Sequence, residues 1–400
     1  MTANISVKIN ELTKWCYIFT IAFTFSGLFF FENGKTLLSN FIVASIIMGG
    51  ISYTLGHRDV GLRDHRILWI FMAYAAMLFV NRIIHGDQYG IVRSIFYVTL
   101  FAIFMPRNEA LVKSFRIGTI VGGVGLGSIS LWQVIHGISR VDGFTNAILF
   151  SQACMTMFII NFFFFLDTRK NVKLKFSLLS AMLMSLLGIY FSQSRGVWLS
   201  FIFLTMLYLL VNSFKKPLKY ISIVSVLVLT TLITIQGNNV IKSRINDSIY
   251  DLNQAKSGQY DTSWGLRIVA WKSAWLAFVD HPIFGVGTEG FDETKKQQAA
   301  MGLVSPLILH PALTHSHSQY MHSLMIRGGF GTIFLFIFLI CPFLLTARRD
   351  IISPVVFICV SYATCSISDV PFEHQNVLYL YIISLLMFFF INEMKKRTIS

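Results

Sequence analysis

Apolar runs of about twenty residues recur along this chain almost from end to end, and no other feature constrains its fold as strongly. A lipid-embedded backbone has no water to satisfy its N–H and C=O groups, so such runs become helices or closed barrels. Runs near 20 residues have the length of a spanning helix. Twelve are expected, at 15–32, 36–55, 67–84, 91–105, 117–135, 148–166, 176–192, 197–213, 220–236, 322–346, 352–367 and 376–393, the fourth being short. The chain is 54% hydrophobic and only 13% charged, against about 25% charged in soluble domains. The expected fold is therefore an all-α integral membrane protein, one polytopic domain over 1–400. A single large loop, 237–321, lies between the ninth and tenth spans. The first run follows a polar N-terminus and has no small-residue cleavage site after it, so it reads as an anchor rather than a signal peptide.

A net charge of +14 would point to nucleic acid in a soluble chain. In a membrane chain it sets orientation instead, through lysines and arginines in short inward loops, and no nucleic-acid partner is expected. With the N-terminus inside, 20 of the 33 basic residues fall on inward segments, among them Arg58, Arg63, Lys170, Lys173, Lys216 and Lys396. Both termini are then cytoplasmic and the long loop faces the other side. The outward connectors are 32–35, 85–90, 136–147, 192–196, the long loop and 368–375. They hold the unusual polar chemistry: Arg140-Val141-Asp142-Gly143, Ser192-Gln193-Ser194-Arg195-Gly196 and Asp369-Val370-Pro371-Phe372-Glu373-His374. The five cysteines all lie in apolar runs without paired spacing and read as small core residues.

The long loop is not featureless. Ile241, Ile245, Ile249 and Leu252 recur every three or four residues, the mark of an amphipathic helix lying on the membrane or against the bundle. Leu266 to Val279 reads as a second helix with Trp271 and Trp275 on one face, broken by Pro282 and the glycines at 285, 287 and 290. Gly285-Val286-Gly287-Thr288-Glu289-Gly290 has the look of a phosphate loop but lacks the preceding strand.

Several side chains are candidates for chemistry. Arg195, at a turn on the membrane edge, is either a snorkelling interfacial arginine or part of a polar pocket with Ser192, Gln193 and Ser194. Arg267 opens the second loop helix, where a guanidinium fork suits an anion, or is simply solvated. His315, His317 and His322 gather where the loop enters the tenth span. They form a polar helix start, a zinc site or a general base. Against zinc, their spacing is not i, i+4, and the nearest upstream carboxylates, Glu289, Asp292 and Glu293, are over twenty residues away. Imidazole suits proton transfer near neutrality without a metal. Asp369 holds a histidine or a sugar hydroxyl, or serves as a cap or ion-pair partner.

Taken in order, Ser194-Arg195-Gly196, Gly265-Leu266-Arg267 with Trp271, Pro282-Ile283-Phe284-Gly285-Val286-Gly287 with Phe291, His317-Ser318-Gln319-Tyr320 and Gly328-Gly329-Phe330-Gly331 resemble the O-antigen ligase and polymerase superfamily of bacterial envelope enzymes. The motifs cover about 192–331; Ser318 stands where the family often has asparagine. The resemblance implies a glycosyltransferase of the bacterial inner membrane, active on its periplasmic face. It would move a glycan from undecaprenyl diphosphate to a sugar hydroxyl of lipid A–core, with only membrane lipids as further partners. His317 is then the expected base, and Arg195 and Arg267 the diphosphate clamp. Arg140, Gln193, His315, Tyr320 and Asp369 are expected to bind substrate, with no metal or other cofactor. Direct displacement would invert the anomeric centre. The rival readings are a polymerase on the same scaffold and, in another class, a lipid-linked glycan transporter. The transporter is disfavoured because the charges sit at the outer edge rather than at mid-span.

Overall fold

The structure is a computed structural model that describes residues 2–214, 217–220, 239–348 and 350–399. Eight helices come first: α1 (Thr2–Ser26), α2 (Gly34–Thr54), α3 (Arg66–His85), α4 (Tyr89–Phe104), α5 (Glu109–Ile135), α6 (Ala147–Asp167), α7 (Val172–Phe191) and α8 (Arg195–Ser213). The loop region supplies α9 (Asn239–Lys256), α10 (Ser263–Asp280) and α11 (Gly287–Ala300). The chain closes with α12 (Gln319–Ala347), α13 (Pro354–Cys365) and α14 (Gln375–Ile399). Among the described residues the only strand-like pairing is an isolated bridge between Val60 and Pro106.

Eight of these helices, α2, α3, α5, α6, α7, α8, α12 and α14, are long and apolar enough to cross a membrane. α4 and α13 are apolar but have 16 and 12 residues, or roughly 24 and 18 Å at 1.5 Å per residue, short of a hydrocarbon core of about 30 Å. The first expected run is shifted, because α1 starts at Thr2 and the helix gives way to turns after Ser26. Residues 221–236 of the ninth expected run lie outside the described residues.

α14 is the centre of the bundle: Leu378, Tyr379, Tyr381 and Leu385 are fully buried, as expected of a helix that is apolar all round. α5 carries a stripe of small residues that lets neighbours approach. A Cβ on Gly122 would sit 1.9 Å from the Phe25 carbonyl oxygen, and one on Gly127 2.5 Å from Met184 Cβ.

Both expected loop helices are present. In α9, Ile245, Ile249 and Leu252 are exposed, while the adjacent stripe, about 100° round the helix, turns Arg244, Ser248 and Asp251 toward the α7–α8 corner. Among the described residues this apolar stripe is left exposed. α10 is capped by Thr262, whose hydroxyl accepts from the Gly265 N–H; α11, starting at Gly287, was not anticipated from the glycine spacing.

That glycine stretch is a packing joint, not a phosphate cradle. Gly285 has φ 70° and Gly328, inside α12, has φ 62°; a Cβ on either would lie about 2.5 Å or less from the other's strand of backbone. At the kink the N–H groups of Gly329 and Phe330 donate to the carbonyls of Pro282 and Ile283, so the Pro282–Gly285 segment locks α12 where its own ladder is interrupted.

Candidate active site

The helix dipole and hydrogen bonds of α12 begin at Gln319, not at His317. His317 instead takes a left-handed φ of 48°, uncommon for a residue with a Cβ. The turn folds the histidine segment back on itself. The His317 main-chain N–H donates to His315 Nδ1 at 3.2 Å, and the two rings meet edge-to-face at 4.4 Å. His317 Nε2 lies 3.2 Å from the Ala312 carbonyl oxygen. A carbonyl only accepts, so Nε2 carries the proton and Nδ1 holds the lone pair. That Nδ1 is buried and has no hydrogen-bond partner.

His322, on the first turn of α12, also reaches this cluster. Its ring is 6.4 Å from that of His315, and it packs on Phe291. His374 joins from the far side, with its ring 6.3 Å from His315. His310 is elsewhere in the loop, its Nδ1 accepting from the Ala312 N–H.

Asp369 is buried beside these rings. Its carboxylate accepts from Gln152 of α6 at 3.1 Å, and its main-chain carbonyl from the Gln319 N–H at 2.9 Å. Ligand atoms of His315, His317 and Asp369 all lie within 4.8 Å of one another. The fold thus supplies, from downstream, the carboxylate whose absence upstream argued against a metal. Burial raises the Asp369 pKa above its ordinary value, opposed by His374. Burial pushes His315 down to about 2. His317 is lowered first by burial and then by the charge of Arg267.

Arginines form the other wall. Arg195, at the first position of α8, donates to Ser248 Oγ at 2.9 Å and through both Nη atoms to Asp251 at 3.2 Å. Arg267 donates to the carbonyl and hydroxyl of Ser263, while its Nε is buried without a partner. Arg140 donates from Nε to the Ser192 carbonyl at 3.2 Å. Gln193, left-handed at φ 52°, accepts on Oε1 from Arg244 and donates to the Ser139 carbonyl. Burial, and then neighbouring guanidiniums, pull Arg140 and Arg267 below the ordinary arginine range. Arg244 and Arg195 act on Arg140, and Arg195 on Arg267. Four guanidiniums crowded until they repel one another form a place for an anion with several oxygens.

Of the candidates named from sequence, the fold brings Arg140, Gln193, Arg195, Arg267, His315, His317 and Asp369 together. Tyr320 is not among them: its hydroxyl donates to the Ala363 carbonyl at 2.8 Å and its ring stacks on Phe336, which places it in the packing of α12 on α13. Sequence reasoning missed Arg244, Ser248 and Asp251, although their i, i+4, i+7 spacing on the polar face of α9 was visible. It also missed Arg327. This side chain is fully buried and forks to both Asp87 oxygens (2.7 and 3.0 Å) and both Glu373 oxygens (2.7 and 2.8 Å). Gln319 donates to Glu373 at 2.7 Å and accepts from the Phe372 N–H at 2.9 Å. The network ties the start of α12 to the loop that carries Asp369.

Helix bundle and site together define a multi-pass membrane protein whose helix ends hold a histidine–carboxylate cluster facing clustered arginines. Residues 180–336, about two fifths of the chain, match the family model described as O-antigen ligase. The matched segment contains Arg195, Arg267 and His317; Arg140 and Asp369 fall outside it. A Haemophilus influenzae protein described as uncharacterized is 26% identical over 166 residues, 40% of this chain and 41% of that relative. The similarity thus spans about two fifths of that relative's length.

Proposed function

We propose that the chain transfers an O-antigen glycan from undecaprenyl diphosphate to a sugar hydroxyl of lipid A–core, on the periplasmic face of the bacterial inner membrane. The observation that carries this reading is the His317 tautomer: a buried, unpartnered Nδ1 lone pair in the field of Arg267. In the proposed step the acceptor oxygen attacks the anomeric carbon while its proton passes to His317 Nδ1. The bond from that carbon to the diphosphate oxygen breaks, and its electron pair leaves with the diphosphate. Arg195, Arg267 and Arg140 hold the charge that grows there. Asp369 lies beside the imidazolium that forms, and Gln193 and His315 line the acceptor side. One direct displacement inverts the centre. The arginines supply the countercharge a metal would otherwise bring, so no metal is required.

The test is transfer by purified protein from a lipid diphosphate-linked glycan to lipid A–core, in excess chelator, with the anomeric configuration of the product determined. An inverted product formed at full rate is expected. Retention of configuration, or activity recovered only with added Mg²⁺, Mn²⁺ or Zn²⁺, overturns the mechanism. If glycan lengthens on its carrier and none reaches lipid A–core, the protein is a polymerase.

A further inference from the structure

Between α2, α4 and the start of α14 lies a groove of about 470 Å³ lined at one end by Thr36, Ser39, Asn40, Arg93, Tyr97 and Gln375. Thr36, Asn40, Ala44 and Ile47 are exposed on one side of α2, a helix apolar enough to span a membrane, so this face meets lipid. Arg93 is out of place there. Its Nε is buried without a hydrogen-bond partner, and among the described residues no carboxylate pairs with it; its guanidinium sits only over the rings of Tyr89 and Tyr97, at 5.9 and 6.0 Å. A cation on a lipid-facing wall without a counter-ion is costly, and a buried polar atom left unpaired costs more.

We infer that this groove binds the phosphate headgroup of a membrane lipid. A phosphate satisfies the Arg93 fork in bidentate fashion, and the Thr36 and Asn40 side chains offer donors to its remaining oxygens. The groove then continues along Val43, Ala44 and Ile47, one to three turns farther down α2, where only an alkyl chain fits. That change from polar to apolar lining selects a lipid over free phosphate. The polar end adjoins the histidine cluster, since Gln375 follows His374, whose ring is 6.3 Å from His315. The inference stands apart from the transfer reading and needs no activity to test it.

The experiment is native mass spectrometry of the full chain released from mild detergent, titrated with phosphatidylglycerol, with diacylglycerol as the uncharged comparison. Wild type should hold one phosphatidylglycerol at least tenfold more tightly than Arg93→Ala. Ala44→Trp, which blocks the apolar track from an exposed position and leaves Arg93 intact, should lose the lipid similarly and serves if Arg93→Ala fails to insert. Diacylglycerol should show no such difference, and millimolar inorganic phosphate should not displace the lipid. Equal retention by both variants, or equal binding of diacylglycerol, overturns the site. Displacement by inorganic phosphate makes it a free-anion site and overturns the lipid assignment.

Discussion

The main-chain N–H of His317 is held by the Nδ1 of His315 at 3.2 Å, so the side chain of one histidine fixes the turn that aims the other. Loss of His317 and loss of His315 should therefore differ in kind. His317→Ala removes the base and should lower transfer by about 10²–10⁴-fold, the usual range for general acid–base groups. His315→Ala only loosens the turn and should cost less. His315→Asn, whose side-chain oxygen can accept the same N–H, should recover part of that loss. If His317→Ala keeps most of its turnover in vitro, the base is elsewhere, and Asp369 is the next candidate.

Dependence on pH follows from the same ring. A general base works unprotonated, so activity falls as pH drops through its pKa. Burial and Arg267 both hold His317 below the ordinary histidine value of 6.5. The acid limb of the rate profile should lie below that value. Removing the positive charge in Arg267→Ala should move the His317 titration, followed by NMR of its ring, upward, since protonation then meets less repulsion. An acid limb above 6.5 in the wild type would contradict the assignment. His315, pushed down to about 2 by its burial, stays neutral throughout and adds no limb.

The arginines should respond to shape as well as charge. Arg195→Ala and Arg267→Ala should each abolish transfer while the protein still inserts. Lysine at either position should rescue poorly, because a point charge cannot reproduce a fork. The partners differ: Arg195 already holds Asp251, whereas Arg267 has an unpaired Nε. Asp251→Asn should therefore leave the Arg195 fork free for anion and reduce activity far less than Arg195→Ala. Full activity of the lysine variants would mean that only net charge matters.

What the sequence disclosed and what it hid divide along one physical line. Periodicity and helix-scale apolar runs are local, so α2, α3 and α5 to α10 were legible, as was the ordered motif set around Arg195, Arg267 and His317. Contacts between distant segments are not local. Asp87 and Glu373 meet Arg327 across 240 and 46 residues, and no spacing rule reports that. The left-handed turn at His317, which sets how the histidine rings meet, is likewise not reported by any spacing rule. The glycines at 285 and 287 signalled close approach, but of backbone to backbone rather than of backbone to phosphate.

Orientation can be checked by labelling single cysteines in a background without the five native ones. Gly258→Cys and Lys296→Cys, both exposed, should react with an impermeant reagent from the periplasm. Lys170→Cys and Lys396→Cys, also exposed, should react only after the membrane is opened. Gln298 would be a poor probe, since it is buried and bonded to Ser273. Labelling of Lys170→Cys from outside would reverse the proposed topology and put the histidine cluster on the cytoplasmic face.

The buried ion network makes the last prediction. Arg327 is surrounded by two carboxylates and no water-exposed atom of the three side chains exceeds a few per cent exposure. Removing one member of such a set leaves an uncompensated charge in the interior, typically costing about 3–5 kcal/mol. Arg327→Met, which strands both Asp87 and Glu373, should therefore lower the melting temperature in detergent sharply. Glu373→Gln strands no carboxylate: Arg327 keeps its fork to Asp87, so it should cost less. The triple replacement Asp87→Asn, Arg327→Met, Glu373→Gln removes every charge at once and should recover much of the loss, because the desolvation penalty goes with the attraction. Transfer should fall in Glu373→Gln even where the bundle stays folded, since Glu373 holds Gln319, and Gln319 holds the backbone of the loop bearing Asp369. If the triple variant is no more stable than Arg327→Met alone, the three groups do not act as one unit, and the network's hold on the site must be assigned to the individual hydrogen bonds.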